Sequence, residues 1–397
     1  MLDALPFHVV GVSHHTSAVG VRERFVLPAD QLAMLLVREN LASRSALVLT
    51  TCNRSELYWS GDRDAGAWFL EYAMVDGGGS ESALTRLEGS AAVRHLFTVS
   101  AGLDSQILGE TEILGQVRQA YDQARAAGTT TRAMDAIFSA ALTCGRRIRH
   151  ETLLGRHPAS VSSAAVGLAA DRLGGLDQRD VVVLGAGEAA EGVLRALDAC
   201  APRRVTLVNR NAERARVLAA AWGAESSGWN ELDVRVAGAD LVFVATGAAR
   251  PVVTAAQLDR AIGARDGHEI TVMDLSVPRN VELDARGIAG IRLFDLDDLQ
   301  RLCCPAAGIP SAALFEAQRV LEEELLRLDI ALRSLAAAPR LAELHRLGAE
   351  VAAEEIAWAL SQLDALGERE REVVRRMADR LVRRVLYPVS KAVRTDE

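Results

Sequence analysis

One cysteine near the N-terminus lies in a setting that suits nucleophilic chemistry. Cys52 is followed by Asn53 and Arg54, and it comes directly after 46–51, a short apolar run typical of a β-strand. A strand end displays its side chains, and a guanidinium at Arg54 can lower the pKa of a nearby thiol or bind a carboxylate. The pattern indicates a candidate sulfur nucleophile, with an unreactive cysteine as the alternative.

A glycine turn in the middle of the chain suits the binding of a nucleotide. It follows the apolar run 180–184 and opens a helical segment. The turn consists of Gly185, Ala186, Gly187, Glu188, Ala189 and Ala190. Glycines let the backbone approach a pyrophosphate, and a helix N-terminus offers free N–H groups and the positive end of its dipole. The sequence predicts a nucleotide site here, with a merely structural tight turn as the alternative.

The end of the next strand bears on which cofactor is bound. Units that bind NAD usually carry Asp or Glu at that point to hold the ribose 2′-hydroxyl. This chain has Asn209 and Arg210 after the strand 205–208. Because a guanidinium pairs well with a 2′-phosphate, NADPH is favoured over NADH. The alternative is an exposed arginine that contacts nothing.

Two further features lie between these motifs. The segment 102–116 interrupts a helical region with two glycines and clustered polar groups, a pattern that predicts a polar ligand pocket. His95 is one polar ring in the apolar helical run 93–97. From the pattern alone, a histidine satisfied within the core is the simpler interpretation.

Length and composition limit the class of protein. With 397 residues the chain exceeds what one core usually serves, so two or three domains are expected. A net charge of -8, from 45 basic and 53 acidic residues, argues against a nucleic-acid coat or a polybasic membrane anchor. No apolar run is long enough to span a membrane, so we expect a cytoplasmic protein. Five cysteines without CxxC or a matching His spacing predict neither disulfides nor a metal site.

Three regions differ in pattern. The runs 7–12 and 46–51 flank a helical-looking segment, 28–41, as in a β-α-β unit, and 82–150 is helical by period. From 160 onward, strands alternate with helices, which predicts a doubly wound parallel sheet with strands near 180–184, 205–208, 241–245 and 270–275. From 311 the chain is helical with expected breaks at Pro339 and Pro388, either folded onto the other domains or forming a dimerisation module.

Taken together, these residues resemble the glutamyl-tRNA reductase family, NADPH-dependent enzymes that open the five-carbon route to 5-aminolevulinate, tetrapyrroles and haem. The resemblance spans nearly the whole chain. It is carried by the segments 11–16 (GVSHHT), 51–58 (TCNRSELY), 102–116 (GLDSQILGETEILGQ), 161–165 (VSSAA), 185–188 (GAGE), 209–210 (NR) and 274–279 (DLSVPR).

The resemblance implies an α/β protein of three domains. These would be an N-terminal α+β catalytic domain that binds glutamyl-tRNA (1–158), a Rossmann-type doubly wound NADPH domain (159–308) and a C-terminal all-helical spinal and dimerisation domain (309–397). It also implies a homodimer. A further expectation is that the product is passed to an aminomutase.

The same resemblance implies a reaction and a set of site residues. Cys52 would attack the ester of glutamyl-tRNA, release the tRNA and hold a glutamyl thioester, which NADPH reduces to glutamate-1-semialdehyde. His95 matches a position important for activity and would be a second catalytic residue, which either activates the sulfur or protonates a leaving oxygen. Arg54 would pair with the substrate carboxylate. The implied substrate-binding residues are Thr51, Asn53, Arg54, Ser105, Glu110, Thr111, Glu112 and Gln116.

A few positions depart from the family pattern. Glu112 replaces the usual Gln, His15 replaces Lys or Arg, and Ala189 and Ala190 replace Met-Gly or Met-Ala. These departures leave room for a paralogue that serves a specialised pathway. Two further alternatives are an ordinary dehydrogenase of a small molecule, because the middle domain also resembles that of shikimate dehydrogenases, and a silent dimeric binding protein. The small-molecule dehydrogenase would give Cys52 no task.

Overall fold

The computed structural model describes most of the chain. The described residues are 1–26, 45–61, 65–66, 84–110, 112–156, 160–265, 268–302, 311–362 and 367–395. By the density of contacts, residues 1–4 and 323–397 form one unit and residues 5–322 form the other. The predicted helix 28–41, Thr111, Cys303 and Cys304 lie outside the described residues.

The first part of the larger unit contains a four-stranded antiparallel sheet. Its strands are β1 (Phe7–Ser13), β2 (Ser45–Thr50), β3 (Arg54–Ser60) and β4 (Thr85–Glu88), in the order β2-β3-β1-β4. The sequence predicted β1 and β2 but not β3, because β3 begins with Arg54, Ser55 and Glu56, all polar and all buried. It also missed β4, a four-residue strand at the edge of the sheet within the region expected to be helical.

Helices complete this part of the unit. They are α1 (Val19–Arg22), α2 (Gly89–Ser100), α3 (Glu112–Ala126) and α4 (Arg132–Glu151). The packing core is aromatic where strands meet helices: the ring of Phe138 on α4 lies 5.8 Å from that of Tyr58 and 6.4 Å from that of Phe7, edge-on in each case. This packing fixes the sheet against α4.

The middle region contains a six-stranded, all-parallel sheet, as the sequence predicted. Its strands are β5 (Asp180–Leu184), β6 (Arg204–Asn209), β7 (Glu225–Gly228), β8 (Leu241–Val244), β9 (Ile270–Asp274) and β10 (Ile291–Phe294), in the order β10-β9-β8-β5-β6-β7. The helices are α5 (Val161–Leu173), α6 (Glu188–Asp198), α7 (Ala212–Ala221), α8 (Leu232–Ala237), α9 (Ala255–Gly263) and α10 (Leu296–Leu302).

The order of these strands reverses at β5, whose neighbours are β6 on one side and β8 on the other. In open parallel sheets, ligands bind at the carboxyl ends of the strands at such a switch point. Successive β5 residues face opposite sides, Val183 in one apolar cluster and Val182 in the other, so the strand is buried on both faces. The edge strands β7 and β10 were not predicted from the sequence, and β7 is largely exposed.

Two long helices follow, α11 (Ser311–Ser361) and α12 (Glu368–Thr395). The expected breaks at Pro339 and Pro388 are wrong, because both prolines lie inside continuous helices. A proline removes one backbone hydrogen bond, and the good helix formers around Pro339, largely Ala and Leu, maintain the remaining ones.

Gly348 of α11 lies close beneath Val382 and Leu386 of α12. Among the described residues, no helix is long and apolar enough to cross a bilayer.

Candidate active site

A cleft of about 280 Å³ brings the candidate nucleophile and the glycine turn together. It opens at the carboxyl ends of β5, β8 and β9, where the N-terminal part of the unit meets the parallel sheet. Its lining includes Thr51, Cys52, Glu112, Gln116, Ser162, Gly187, Glu188, Ala189, Thr246 and Ser276. Two motifs that are more than 130 residues apart in sequence therefore share one cavity.

A turn that Thr51 organises presents Cys52. The Thr51 hydroxyl oxygen accepts the backbone N–H groups of Asn53 and Arg54 at 3.1 and 3.2 Å, and the Thr51 N–H donates to the Arg54 carbonyl at 2.8 Å. The Asn53 carbonyl accepts the N–H of His14 at 2.9 Å. The Asn53 side chain is buried, and its amide has no protein partner. The turn thus points Cys52 toward the parallel sheet, where it packs against the apolar cluster around Val183.

The pKa of the Cys52 thiol is raised to about 12, first by burial and then by the carboxylates of Glu110 and Glu112. Arg22 opposes this shift. Arg22 of α1 is the cation with the largest lowering effect on this pKa, and a lowering by Arg54 stays a prediction. The sequence missed Arg22, since a basic residue in the run Val19–Arg22 gives no signal of burial.

Arg54 is only 1% exposed and is already held by carboxylates of the protein. Its Nη1 donates to Glu56 Oε1 and to Asp104 Oδ2, each at 2.9 Å, and its Nη2 donates to the Asp104 carbonyl. Its pKa is raised well above the ordinary value, because Glu56 and Asp104 outweigh the effect of burial. A substrate carboxylate that binds Arg54 therefore has to share or displace Asp104.

His95 belongs to this buried network and not to the lining of the cleft. Its Nε2 lies 2.9 Å from Glu56 Oε1, and Glu56 Oε2 accepts the Tyr58 hydroxyl at 2.6 Å. Burial alone would lower the pKa of His95, but the Glu56 carboxylate raises it. The contacts of His95 are those of a satisfied, mostly buried histidine, and its Nε2 is engaged with Glu56.

Ser105 and Glu110 form a buried pair near Arg54. The Ser105 hydroxyl donates to Glu110 Oε1 at 3.0 Å, and Arg149 donates to the Glu110 carbonyl at 3.1 Å. Burial raises the pKa of the Glu110 carboxyl to about 7, with a further contribution from Glu112, while the Ser105 hydrogen bond opposes the shift. Glu110 thus carries a proton more readily than an ordinary glutamate does.

Glu112 lines the cleft at the start of α3. Burial raises its pKa, and the nearby carboxylate of Glu188 contributes. A Cβ atom placed on Gly192 of α6 would lie 3.1 Å from Glu112 Oε1, so this carboxylate packs against the cofactor helix. Glu112 therefore places a carboxylate next to both Cys52 and the glycine turn.

The glycine turn has the geometry that close approach of a phosphate requires. Gly185 has φ +115°, and a Cβ there would lie 2.1 Å from the Ala245 carbonyl oxygen, so only glycine fits. Gly187 is the N-cap of α6 and has no side-chain cap, and a Cβ placed on it would meet nothing within 4 Å. Ala186 and Ala190 are buried, and the Ala189 carbonyl accepts the hydroxyl of Ser162 at 3.1 Å. A pyrophosphate fits this turn.

Arg210 lies at the end of β6, where cofactor choice is decided. Its guanidinium carbon is 5.4 Å from the centroid of the Trp229 ring, which orients the charged group by a cation–π contact. Asn209 donates to the Asn211 carbonyl at 3.1 Å. The first acidic residue after β6 is Glu213, which is paired with Arg216 at 2.6 Å. Among the described residues of this stretch, no free carboxylate faces a ribose 2′-position.

Among the described residues, no group of three or more His, Cys, Asp or Glu side chains could hold a metal ion.

Three family models match this chain in succession. One described as the glutamyl-tRNA reductase N-terminal domain matches residues 10–152, and one described as shikimate/quinate 5-dehydrogenase matches 167–302. A third, the glutamyl-tRNA reductase dimerisation domain, matches 316–397. The dehydrogenase match supports a nucleotide cofactor in the middle region, and the last match supports a homodimer.

Individual relatives extend the likeness along the chain. A glutamyl-tRNA reductase of Pelotomaculum thermopropionicum is 36% identical over 392 residues, which cover 96% of this chain and 88% of that protein. Another, from Deinococcus radiodurans, is 38% identical over 325 residues, covering 80% and 91%. The solved structure of glutamyl-tRNA reductase from Methanopyrus kandleri is 30% identical, covers 100% of this chain and 98% of that one, and gives a TM-score of 0.49. From the identity and coverage of these sequence relatives, the chain belongs to the glutamyl-tRNA reductase family of oxidoreductases.

Proposed function

We propose that this protein reduces glutamyl-tRNA to glutamate-1-semialdehyde, with NADPH as the reductant and a thioester on Cys52 as the intermediate. The observation that carries the proposal is the shared cleft, in which the Cys52 thiol and the glycine turn line one cavity. The product would enter the five-carbon route to 5-aminolevulinate and haem.

In the first step, the Cys52 sulfur bonds to the glutamyl carbonyl carbon as the ester C–O bond breaks. The 3′-oxygen of the tRNA leaves and takes up a proton. A thioester accepts hydride more readily than an oxygen ester does, and covalent capture keeps the small glutamyl group in place after the tRNA has left. Glu110 and Glu112, with raised pKa values, are the carboxyl groups near the sulfur that can carry the proton.

In the second step, the thioester carbon gains hydride and the C–S bond breaks, which yields the aldehyde and returns the sulfur. NADPH supplies that hydride when it is bound. The chain's part would be to hold the cofactor beside Cys52. Gly185 and Gly187 would admit the pyrophosphate, the N-terminus of α6 would bind it, and Arg210 would pair with the 2′-phosphate. The remaining cofactor contacts are assigned to Ala186, Glu188, Ala189, Ala190 and Asn209.

The substrate would bind on the N-terminal side of the cleft. Thr51 and Asn53 shape the turn, Arg54 attracts the side-chain carboxylate, and Gln116 lines the cavity. His95 would act through Glu56 to hold Arg54 in place, which gives it a positioning role. Ser105, Glu110, Thr111 and Glu112 are assigned to the same pocket.

We assign the catalytic domain to residues 1–158, the NADPH domain to 159–308 and the dimerisation domain to 309–397. The protein would act in the cytoplasm as a homodimer and would pass its labile aldehyde to an aminomutase.

NADPH oxidation with glutamyl-tRNA tests the proposal. The wild type is compared with Cys52→Ser, and with Cys200→Ser as a matched control at a half-buried cysteine outside the cleft. We expect only Cys52→Ser to lose aldehyde formation, and only proteins with Cys52 to accumulate a glutamyl thioester when NADPH is omitted. Equal turnover in wild type and Cys52→Ser would contradict the mechanism.

A further inference from the structure

The segment 275–281, which follows β9, forms one wall of the cleft, the sheet-side wall. Ser276 and Val277 line the cavity together with Cys52. The Ser276 hydroxyl oxygen also accepts the N–H of Thr246, another lining residue, at 3.2 Å. The segments that follow β8 and β9 therefore present one joined surface to the cavity.

Two buried polar side chains hold the sheet-side wall against the parallel sheet. Asp274 is 2% exposed. Its carboxylate accepts the backbone N–H groups of Ser276, Asn280 and Val281 at 3.1, 2.8 and 2.9 Å. The Asn280 side chain is fully buried, and its amide donates to the Ala248 carbonyl at 2.8 Å. Because breaking any of these bonds leaves a buried polar group unpaired, we expect the wall to keep its place on the sheet.

One residue of the sheet-side wall reaches across to the N-terminal region. Arg279 donates from Nε to Glu23 Oε2 at 3.0 Å and from Nη2 to Glu23 Oε1 at 2.6 Å. The backbone N–H of Arg279 donates to Glu23 Oε2 as well, at 3.1 Å. Both side chains are mostly buried, and a bidentate pair of this kind fixes orientation as well as distance. Glu23 therefore holds the wall by three hydrogen bonds.

Glu23 is in turn connected to the turn that carries the thiol. It follows α1 directly, and Arg22, the last residue of α1, donates to the Ser17 carbonyl at 2.7 Å. The same loop donates the His14 N–H to the Asn53 carbonyl at 2.9 Å, next to the thiol residue. The pair of Glu23 and Arg279 thus belongs to a hydrogen-bonded connection between the two sides of the cleft.

We propose that Arg279 is a positioning residue for the second step, in which the thioester carbon gains hydride from NADPH and the C–S bond breaks. Bound by Glu23, Arg279 keeps the sheet-side wall at the spacing from Cys52 that hydride transfer requires. Because hydride moves only between closely placed atoms, a small change in this spacing lowers the rate of transfer while each partner still binds. This inference rests on the proposed function in so far as Cys52 carries the thioester.

Single-turnover reduction tests the proposal. The glutamyl thioester is formed without NADPH, NADPH is then added, and the disappearance of the thioester is timed. We expect Arg279→Ala and Glu23→Ala each to slow this reduction at least roughly tenfold, with thioester formation and NADPH affinity close to those of the wild type. Calorimetric titration measures the affinity. The double variant should be no slower than the slower single variant, because both changes break the same contact.

Arg292→Ala is the matched control, because it breaks an exposed ion pair with Glu269 outside the cleft and should reduce the thioester at the wild-type rate. Asp297 Oδ2 also accepts the Val19 N–H at 2.9 Å, so we expect the two regions to stay together when the pair of Glu23 and Arg279 is lost. Thermal unfolding identifies any variant that fails to fold. Arg279→Lys is the milder change, which keeps the charge without the planar fork and should give an intermediate rate.

Hydrogen exchange of the protein without NADPH gives a readout that needs no reaction. The amide of Arg279 should exchange faster in Glu23→Ala, since its acceptor is lost, whereas that of Asn280, bonded to Asp274, should keep its protection. Unchanged thioester reduction in folded Glu23 and Arg279 variants would overturn the inference and leave the proposed function intact. A wild type that forms no thioester would instead reject the proposed function and, with it, the role of Arg279 in hydride transfer.

Discussion

Glu110 connects the chemistry of the cleft to the stability of the fold. Because its folded-state pKa of about 7 is above the ordinary value of 4.5, folding favours the protonated carboxyl group. Its contribution to stability is fully present below pH 4.5 and is lost as the pH rises through 7. At pH 8 the wild type therefore carries a penalty on the order of 3 kcal/mol.

We expect Glu110→Gln to raise the free energy of unfolding at pH 8 by up to about 3 kcal/mol and to change it little at pH 4.5. The glutamine keeps an oxygen that accepts the Ser105 hydroxyl. Urea unfolding at both pH values measures the difference, with the exposed Glu225→Gln as control. A gain of equal size at both pH values would show that the titration of Glu110 is not its cause.

Arg210 should decide between the two nicotinamide cofactors. Losing a charge-assisted contact with the 2′-phosphate costs roughly 1.5–3 kcal/mol, so Arg210→Ala should raise the KM for NADPH about tenfold or more and leave that for NADH nearly unchanged. Initial rates with each cofactor measure this. Arg216→Ala serves as control, because that exposed arginine is paired with Glu213. A parallel loss with both cofactors would remove Arg210 from the 2′-phosphate site.

At the scale of single residues, the sequence pointed to Cys52 and the glycine turn because each follows a recognisable apolar strand. It did not reveal the partners of Arg54, since Glu56 and Asp104 reach the guanidinium from a different strand position and from a loop. Arg22 was missed for the same reason. Tertiary packing alone determines which polar side chains are buried together.

At the scale of elements, the two glycines at the junction of β5 and α6 have different roles. Gly185 is required by the backbone, since its φ is +115° and a Cβ would clash with the Ala245 carbonyl. Gly187 has φ −97°, and a Cβ there would meet nothing within 4 Å. Gly185 is therefore needed for folding, whereas Gly187 is available for contact with a ligand.

We expect Gly185→Ala to destabilise the protein by roughly 1–3 kcal/mol or more and to lose NADPH binding with it. Gly187→Ala should keep the thermal midpoint of the wild type and still bind NADPH about tenfold more weakly, because its methyl group blocks the approach of the pyrophosphate. Calorimetric titration and thermal unfolding of both variants measure the pair. Normal NADPH affinity in Gly187→Ala would place the pyrophosphate elsewhere.

The elements predicted best were those with uniform patterns. The strands β5, β6, β8 and β9 are apolar runs bounded by turns, and the structure confirms them. The strand β3 could not be predicted, because its first three residues form a buried polar cluster. For α11 and α12 the sequence predicted helix breaks that do not occur. The tendency of each proline to end a helix is outweighed by the long helix around it.

At the scale of the whole molecule, α12 carries two apolar stripes. Val382 and Leu386 face Gly348 of α11. Val373, Met377, Leu381 and Val385 recur every four residues and are exposed in the single chain. Because residues 316–397 match a dimerisation domain, we expect the same region of a second copy to cover this second stripe.

We expect Leu381→Asp to shift the protein from dimer to monomer. Burying an unpaired carboxylate costs about 3 kcal/mol or more, which corresponds to at least a roughly hundredfold weaker association. Light scattering after size-exclusion chromatography measures the mass. Arg383→Asp introduces the same carboxylate two residues away, outside the stripe, and should remain dimeric. A dimeric Leu381→Asp protein would place the interface on another surface.

The cleft that joins Cys52 to the glycine turn also dictates an order of events. Its volume, about 280 Å³, is slightly below the range of about 300–1,000 Å³ in which pockets hold one drug-sized ligand. We expect a cleft of this size to hold either the glutamyl ester with its terminal ribose or the nicotinamide ring, but not both at once. In the proposed reaction we therefore expect the discharged tRNA to leave before the nicotinamide reaches the thioester. Double-reciprocal plots at several fixed concentrations of tRNA should then run parallel, as in a ping-pong reaction.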